Sequence, residues 1–388
     1  MKSLFQSAIV ILLLGLVVLP AQAAFTNLYV FGDALSSTAD GTGADYYAGR
    51  DSNGRVWVEV LAQRQGLAYD AGKNNSYFDH NSATLVNDIN NFTAPADVAN
   101  DLFIVWVCNA DTFDAAQVPD NSSQWTAAIA QSQANHLQII TNLYARGVRT
   151  LILPNAVDIS EIPAFDAGIT LTNVEHTGCV AYNVAFSNTV NQARALCPGL
   201  KIYTPDFFTL LNNVLTNAAA YGLTNALSAG FSIDALTALY PNSPANLNGS
   251  GTNYIFWDSQ DPTAQLHEII ADVVQQIVSP VQISKLAVLA SSNRLDVVNL
   301  PLGLNGSVLG STNLAPANWA AVQSFNSTSL TQSIFVPTNS ISISKVQIVP
   351  HDDGPPVLGG GGGSTNSTPF ISTAQFYRLQ FPYAWSWP

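Results

Sequence analysis

The sequence predicts an α/β domain built on a parallel sheet, followed by a small all-β sandwich. Three observations carry that reading. Short apolar strands alternate with helical patterns as far as residue 284. Beyond it, runs of Val, Ile, Leu, Thr and Ser alternate with Asn, Gly and Pro. Charge divides at the same place. Residues 24–284 hold 8 basic and 23 acidic side chains, a balance of −15, whereas residues 285–388 hold 4 and 3, a balance of +1.

The elements follow in order. The apolar stretch 28–31 reads as a strand that ends at the turn Gly32-Asp33. Residues 56–65 have helical spacing, with Val56, Val60 and Leu61 on one face. The near-continuous apolar run 102–107 fits a buried parallel strand. A long amphipathic helix is expected over 125–146, then a buried strand over 150–153 that Pro154 stops. A second long helix spans 172–196 and is closed by Pro198-Gly199; a strand over 201–204 follows. The last helix covers 262–278, with Pro262 in its first turn. Strand and helix in this rhythm give a parallel sheet covered on both faces, with ligands at the carboxyl ends of the strands. The turns after Phe31, Val107 and Leu153 are therefore the places to look for chemistry. In the second region, strands are expected over 295–300, 307–311, 331–336, 341–348 and 375–380. The five glycines from Gly359 to Gly363 read as a flexible loop. Trp385 and Trp387, in a Pro-flanked tail, either stack on a sugar or pack back on the sandwich.

Residues 1–23 read as an export signal. Lys2 supplies the positive end, residues 8–19 form an apolar run too short to span a bilayer, and Ala21-Gln22-Ala23 offers the small residues that signal peptidase reads. Cleavage is expected after Ala23, which gives a secreted, periplasmic or cell-surface protein with no membrane segment. Composition agrees: 388 residues, 47% hydrophobic and 10% charged, exclude a disordered chain. A net charge of −13 excludes a general nucleic-acid binder, because phosphates need Lys and Arg. Three cysteines cannot make a disulfide scaffold. Cys179 and Cys197 bracket one expected helix, about 27 Å apart at 1.5 Å per residue, and read as free or buried thiols. The chain is read as a monomer that needs no cofactor or metal.

The turns carry a resemblance. Phe31-Gly32-Asp33-Ala34-Leu35-Ser36 is similar to the first block of the GDSL (SGNH) esterase and lipase family. Residues 53–62 resemble its next stretch, 102–111 its strand ending in Gly-x-Asn-Asp, and 150–163 the strand and Pro-rich turn that follow. Phe256-Trp257-Asp258-Ser259-Gln260-Asp261-Pro262-Thr263 resembles the closing Asp-x-x-His-Pro-Thr block. The blocks run in order over roughly two thirds of the chain. The resemblance implies a three-layer α/β/α, flavodoxin-like domain over 24–284, with the β-sandwich module over 285–388, and hydrolysis of ester bonds.

The catalytic letters of that family are substituted here. Ala34 stands at the nucleophile position and has no oxygen with which to form an acyl-enzyme. Ala110 stands where an asparagine donates to the oxyanion; Asn109 lies one place earlier, where its side chain points elsewhere. Ser82 is the match for the second-block glycine, a backbone donor. Asp258 keeps the triad aspartate, but Asp261 stands at the histidine position, and a carboxylate is a far weaker base than imidazole at neutral pH. Asp33, Asn109 and Asp111 complete the expected cleft. Asp33, Asp111, Asp258 and Asp261 together suit a hard cation such as Ca²⁺, or form a solvated acidic mouth. The leading expectation is a family member that has lost ester hydrolysis and keeps a cleft for a small acyl or glycan ligand. The alternatives are an active ester hydrolase with displaced residues, Ser36 or Ser37 as nucleophile and His267 as base, or an adhesive protein in which the β-module acts. His80 reads as a solvated loop residue near the second block, and no motif surrounds His176 or His351.

Overall fold

A computed structural model describes residues 25–117, 122–165, 169–312, 318–337, 346–348 and 375–382. The expected export signal, His351, the glycine run, most of the expected strand 341–348, Trp385 and Trp387 lie outside the described residues.

The apolar runs form the expected sheet. Its strands are β1 (Leu28–Gly32), β2 (Asn74–Ser76), β3 (Leu102–Trp106), β4 (Thr150–Ile152) and β5 (Lys201–Tyr203), in spatial order β2-β1-β3-β4-β5. Every neighbouring pair is parallel, with Leu28 opposite Leu102 and Val30 opposite Asn74. This is the flavodoxin-like order, and its switch point lies between β1 and β3. Each β3 residue is at most 1% exposed, so both faces of the sheet are covered. The helices are α1 (Trp57–Arg64), α2 (Ser82–Asn91), α3 (Cys108–Ala116), α4 (Ser122–Ala145), α5 (Ile169–Leu196), α6 (Phe207–Thr216), α7 (Ala235–Leu239) and α8 (Ala264–Val278). α1 packs on α8, while α2, α4 and α5 pack in a row. Trp57, Trp106 and Phe207 form an edge-to-face cluster beneath the carboxyl ends of β1 and β3, with centroids 4.8–6.0 Å apart.

Several elements had no signal in the sequence. β2 is an Asn-Asn-Ser edge strand with no apolar period, held by its register with β1. α3 starts two residues after β3 ends, at the place where a turn was expected. Its helical start fixes the directions of Asn109 and Ala110, since adjacent helical side chains diverge by about 100°. The three cysteines are free and buried, Cys179 and Cys197 in keeping with the reading from helix length.

The second region is a sandwich. A short hairpin of β6 (Leu227–Ser228) and β7 (Phe231–Ser232) precedes α7 in the first domain. Beyond α8 come β8 (Gln282–Val288), β9 (Ser292–Val298), β10 (Asn305–Ser311), β11 (Ala320–Asn326), β12 (Thr331–Pro337), β13 (Val346–Ile348) and β14 (Gln375–Gln380). One sheet runs β12-β9-β8, all antiparallel; the other runs β11-β10-β14-β13, with β13 parallel to β14. Leu295 and Val297 of the first sheet share a core with Val308, Phe325 and Tyr377 of the second. Asn293 donates to the Tyr377 hydroxyl at 2.8 Å and ties the two sheets. β8 straddles the expected boundary at 284/285. Its pairing with β9 starts at Gln282 opposite Val298, so the β-module begins a few residues earlier than the charge pattern indicated.

Candidate active site

The site grows out of the switch point. β1 ends at Gly32, and the chain turns through the short 3₁₀ segment Ala34–Ser36. Asp33 caps that turn: Leu35 N–H donates to its Oδ1 at 3.2 Å. A β-carbon on Gly32 would stand 2.7 Å from the Ser36 β-carbon, so glycine is required for the tight exit. Beside it, Ala34 opens into a cleft of about 100 Å³ at the carboxyl end of the sheet. Leu35, Phe78, Phe113, Val157 and Ile162 supply apolar walls. Asp33, Asp79, Asp114 and Asp261 supply carboxyls, and no Lys, Arg or His is among the lining residues.

Ala34, Ala110 and Asp261 all line this cleft, so the three substituted positions do converge. Asn109 also lines it, but its amide is committed. Nδ2 donates to Asp33 Oδ2 at 3.2 Å, and Oδ1 accepts from Val157 N–H at 3.0 Å. Asn109 thus braces the turn after β1. Asp258 stands behind Asp261. Its Oδ1 accepts from the N–H groups of Gln260 and Asp261 at 2.9 and 2.8 Å, and its Oδ2 accepts from the Tyr46 hydroxyl at 2.8 Å.

Two expected site residues lie elsewhere. Ser82 starts α2; its N–H donates to Asp111 Oδ1 at 2.9 Å and its hydroxyl accepts from Asn135 at 3.0 Å. It is not among the cleft residues. Asp79, with φ at 63°, lines the cleft instead, in the left-handed region that glycine adopts without strain. Asp79, three residues before Ser82, is thus the residue of this segment that reaches the cleft. Asp111 also turns away. Its Oδ2 accepts from the Ser132 and Tyr182 hydroxyls at 2.6 and 3.1 Å, so it joins α3 to α4 and α5.

The displaced-residue candidates are occupied by packing. Ser36 is fully buried, and its hydroxyl accepts from the Trp57 indole N–H at 3.0 Å. Ser37 is equally buried and accepts from Ala39 N–H. His267 sits in the buried face of α8, where burial pushes its pKa down to about 3 and keeps the ring neutral. His80 is fully buried rather than solvated; it stacks on Tyr77 with centroids 4.1 Å apart, and its Nδ1 meets Gly32 O at 2.9 Å. His176 pairs with Asp158 outside the cleft. Cys108 is buried at the start of α3, and burial raises its thiol pKa well above the usual value.

Of the acidic mouth, Asp33 and Asp261 are buried and Asp258 is half-buried, while Asp79 and Asp114 at the cleft are exposed. Burial pushes Asp33 up to about 7, against the opposing hydrogen bonds from Asn109 and Leu35. Asp261 is raised well above the ordinary carboxyl range by burial first, then by Asp258, Asp51 and Asp33. Asp51 is raised to about 6 by burial, with Asp258 next. Asp51 and Tyr46 come from the loop between β1 and α1, which carries no motif and could not be placed from sequence. Among the described residues, no group of His, Cys, Asp and Glu is arranged to hold a metal ion.

These shifts set a pH dependence with a definite sign. Asp33 moves from 3.8 to about 7 on folding, so its stabilising share is complete below 3.8 and is lost as pH rises to about 7. The full shift corresponds to roughly 4 kcal/mol as an upper bound. Melting temperature should therefore fall between pH 4 and 7, and Asp33→Asn should flatten that fall while Asp51 and Asp261 leave a residual slope. An unchanged slope in the variant, read by scanning calorimetry, would mean that Asp33 is not the titrating group.

A parallel β2-β1-β3-β4-β5 sheet with a cleft at its switch point defines an α/β/α domain of flavodoxin-like topology. The model of the GDSL-like Lipase/Acylhydrolase family matches residues 28–274, and the chain belongs to that family. A GDSL esterase/lipase of Arabidopsis thaliana is 23% identical over 328 residues, covering 66% of this chain and 87% of its own. Among solved structures, an acetyl xylan esterase is 10% identical with a TM-score of 0.39, over 65% of this chain and 99% of its own. A lipase from a goat rumen metagenome is also 10% identical, with a TM-score of 0.40, over 65% and 97%.

Proposed function

We propose that this protein is an exported GDSL-family member in which ester hydrolysis has lapsed and the cleft is kept for binding a small ligand with an apolar, acyl-like part. The observation that carries the proposal is the convergence of Ala34, Ala110 and Asp261 on one cleft at the carboxyl ends of β1 and β3. Ala34 offers no nucleophile. Ala110 offers no side-chain donor to a developing oxyanion, a loss of about 10²–10³ in rate. Losing a triad serine or histidine costs on the order of 10⁶ in one serine protease. Together these losses lower turnover to near the uncatalysed rate.

The burial of Ser36, Ser37 and His267 supports the same reading, because none has the exposed nucleophile-to-base geometry that acyl transfer needs. Export rests on the residues 1–23 and on the sparse charge of the chain. The test is turnover of short-chain p-nitrophenyl esters by the purified protein, with the buffer rate expected. Turnover well above buffer that Ser36→Ala or His267→Ala abolishes would overturn the proposal.

A further inference from the structure

The cleft has a polarity opposite to the one acyl transfer needs. An ester hydrolase surrounds its reacting oxygen with donors, because negative charge develops there. Here the floor carries carboxyls. Asp261 is only 6% exposed and lines the cleft. Its carboxyl is hydrogen-bonded to that of Asp258, which raises its pKa further, and no basic group lines the cleft beside it. Asp258, by contrast, has two backbone donors and the Tyr46 hydroxyl. Asp261 is thus a buried acid, aimed into an apolar cavity, whose neighbours in the protein are other acids.

We propose that the cleft binds a primary amine bearing an apolar chain, with its ammonium group on Asp261 and its chain against Phe78, Phe113, Val157 and Ile162. The inference rests on the reading of the cleft as a binding site. Three alternatives fit less well. An anion such as a fatty-acid carboxylate would meet Asp33, Asp79, Asp114 and Asp261 with no cation to offset them. A bare metal ion has no arranged ligand set among the described residues. A neutral alcohol or ester fills the apolar walls but leaves the field of the carboxyls unanswered.

In the free protein burial and the surrounding acids favour the protonated form of Asp261 over its carboxylate. The groups that face it are Asp33 at the end of β1, Asp51 and, through Asp258, Tyr46 from the loop before α1, and Asp258 from the loop before α8. Asp79 after β2 and Asp114 on α3 lie across the cleft. The amine enters as its ammonium form. The Asp261 proton leaves to solvent, and the carboxylate takes a charge-assisted hydrogen bond from the ammonium N–H.

Calorimetric titration of the full-length protein at neutral pH with n-hexylamine, n-hexanol and hexanoate tests this. The charge-assisted bond should make the amine bind about 10- to 100-fold tighter than the alcohol. Titration in two buffers of different ionisation enthalpy should reveal release of about one proton with the amine. Asp261→Asn, an isosteric change that removes the ionisable group, should abolish both the preference for amine and the proton release. Alcohol or hexanoate binding as tightly as amine overturns the amine proposal and leaves the binding cleft standing. So does an amine preference that survives in Asp261→Asn. No binding by any of the three overturns both readings, whereas ester turnover sinks the parent reading alone.

Discussion

The triple variant Ala34→Ser, Ala110→Asn, Asp261→His should hydrolyse p-nitrophenyl butyrate at least ~10³-fold faster than the unmodified protein. The expectation follows from where the three side chains stand. Position 34 is the first residue of the turn that leaves β1, and its β-carbon already faces the cleft. Position 110 lies in the first turn of α3 and lines the same cavity. Position 261 abuts Asp258, so an imidazole there has a carboxylate beside it to orient one ring nitrogen. Single reversions should gain little, because nucleophile, base and oxyanion donor act as a unit. The reversion also removes a buried acid from the cleft and thereby relieves the field that opposes a developing oxyanion. Steady-state kinetics decide the matter: a triple variant no faster than its parent would show that the scaffold, and not only its letters, has drifted away from acyl transfer.

Arg64→Met should lower unfolding free energy by about 3–5 kcal/mol. Arg64 sits at the end of α1, and its side chain is 5% exposed. Its Nε donates to Asp272 Oδ1 on α8 at 2.7 Å, and its Nη1 donates to Leu302 O at 3.0 Å. One guanidinium therefore joins two helices of the α/β domain to the loop that leads into β10. Beside it, Gln65 donates to Gln275 at 2.6 Å and accepts from Ser279. Burial already raises Asp272 to about 6 against the pull of Arg64. Without that cation the acid stays protonated to higher pH, so the window in which stability is lost should move upward from pH 6. Asp272→Asn added to Arg64→Met should recover part of the loss, because it removes the uncompensated carboxyl. Chemical denaturation at pH 5 and 8 measures both effects; equal losses at the two pH values would refute the assigned role of Asp272.

Most of the architecture was legible because burial leaves a local signature. The runs at 28–31, 102–107 and 150–153 read as strands because a strand covered on both faces must be apolar throughout. The helices over 125–146 and 172–196 read from their spacing and their stops. β2 left no such mark: an edge strand of Asn-Asn-Ser is held by backbone pairing to β1, which any residue can make. α3 was hidden because its Cys-Asn-Ala-Asp start reads equally as a turn.

The site divides in the same way. The sequence by itself determined which chemistry is missing, since an alanine at position 34 or 110 lacks a functional group in any conformation. Tertiary structure alone decided which groups face the cleft. Helical geometry at the start of α3 sends Asn109 to Asp33 while Ala110 lines the cavity. Asp79, whose left-handed backbone is invisible in the letters, lines the cleft where Ser82 does not. Asp111 went to the packing of α3, α4 and α5, while Asp51 and Tyr46 arrived from a loop without a motif. The reason is physical: the identity of a side chain is a local property, whereas its direction and its proton are set by neighbours that are distant along the chain.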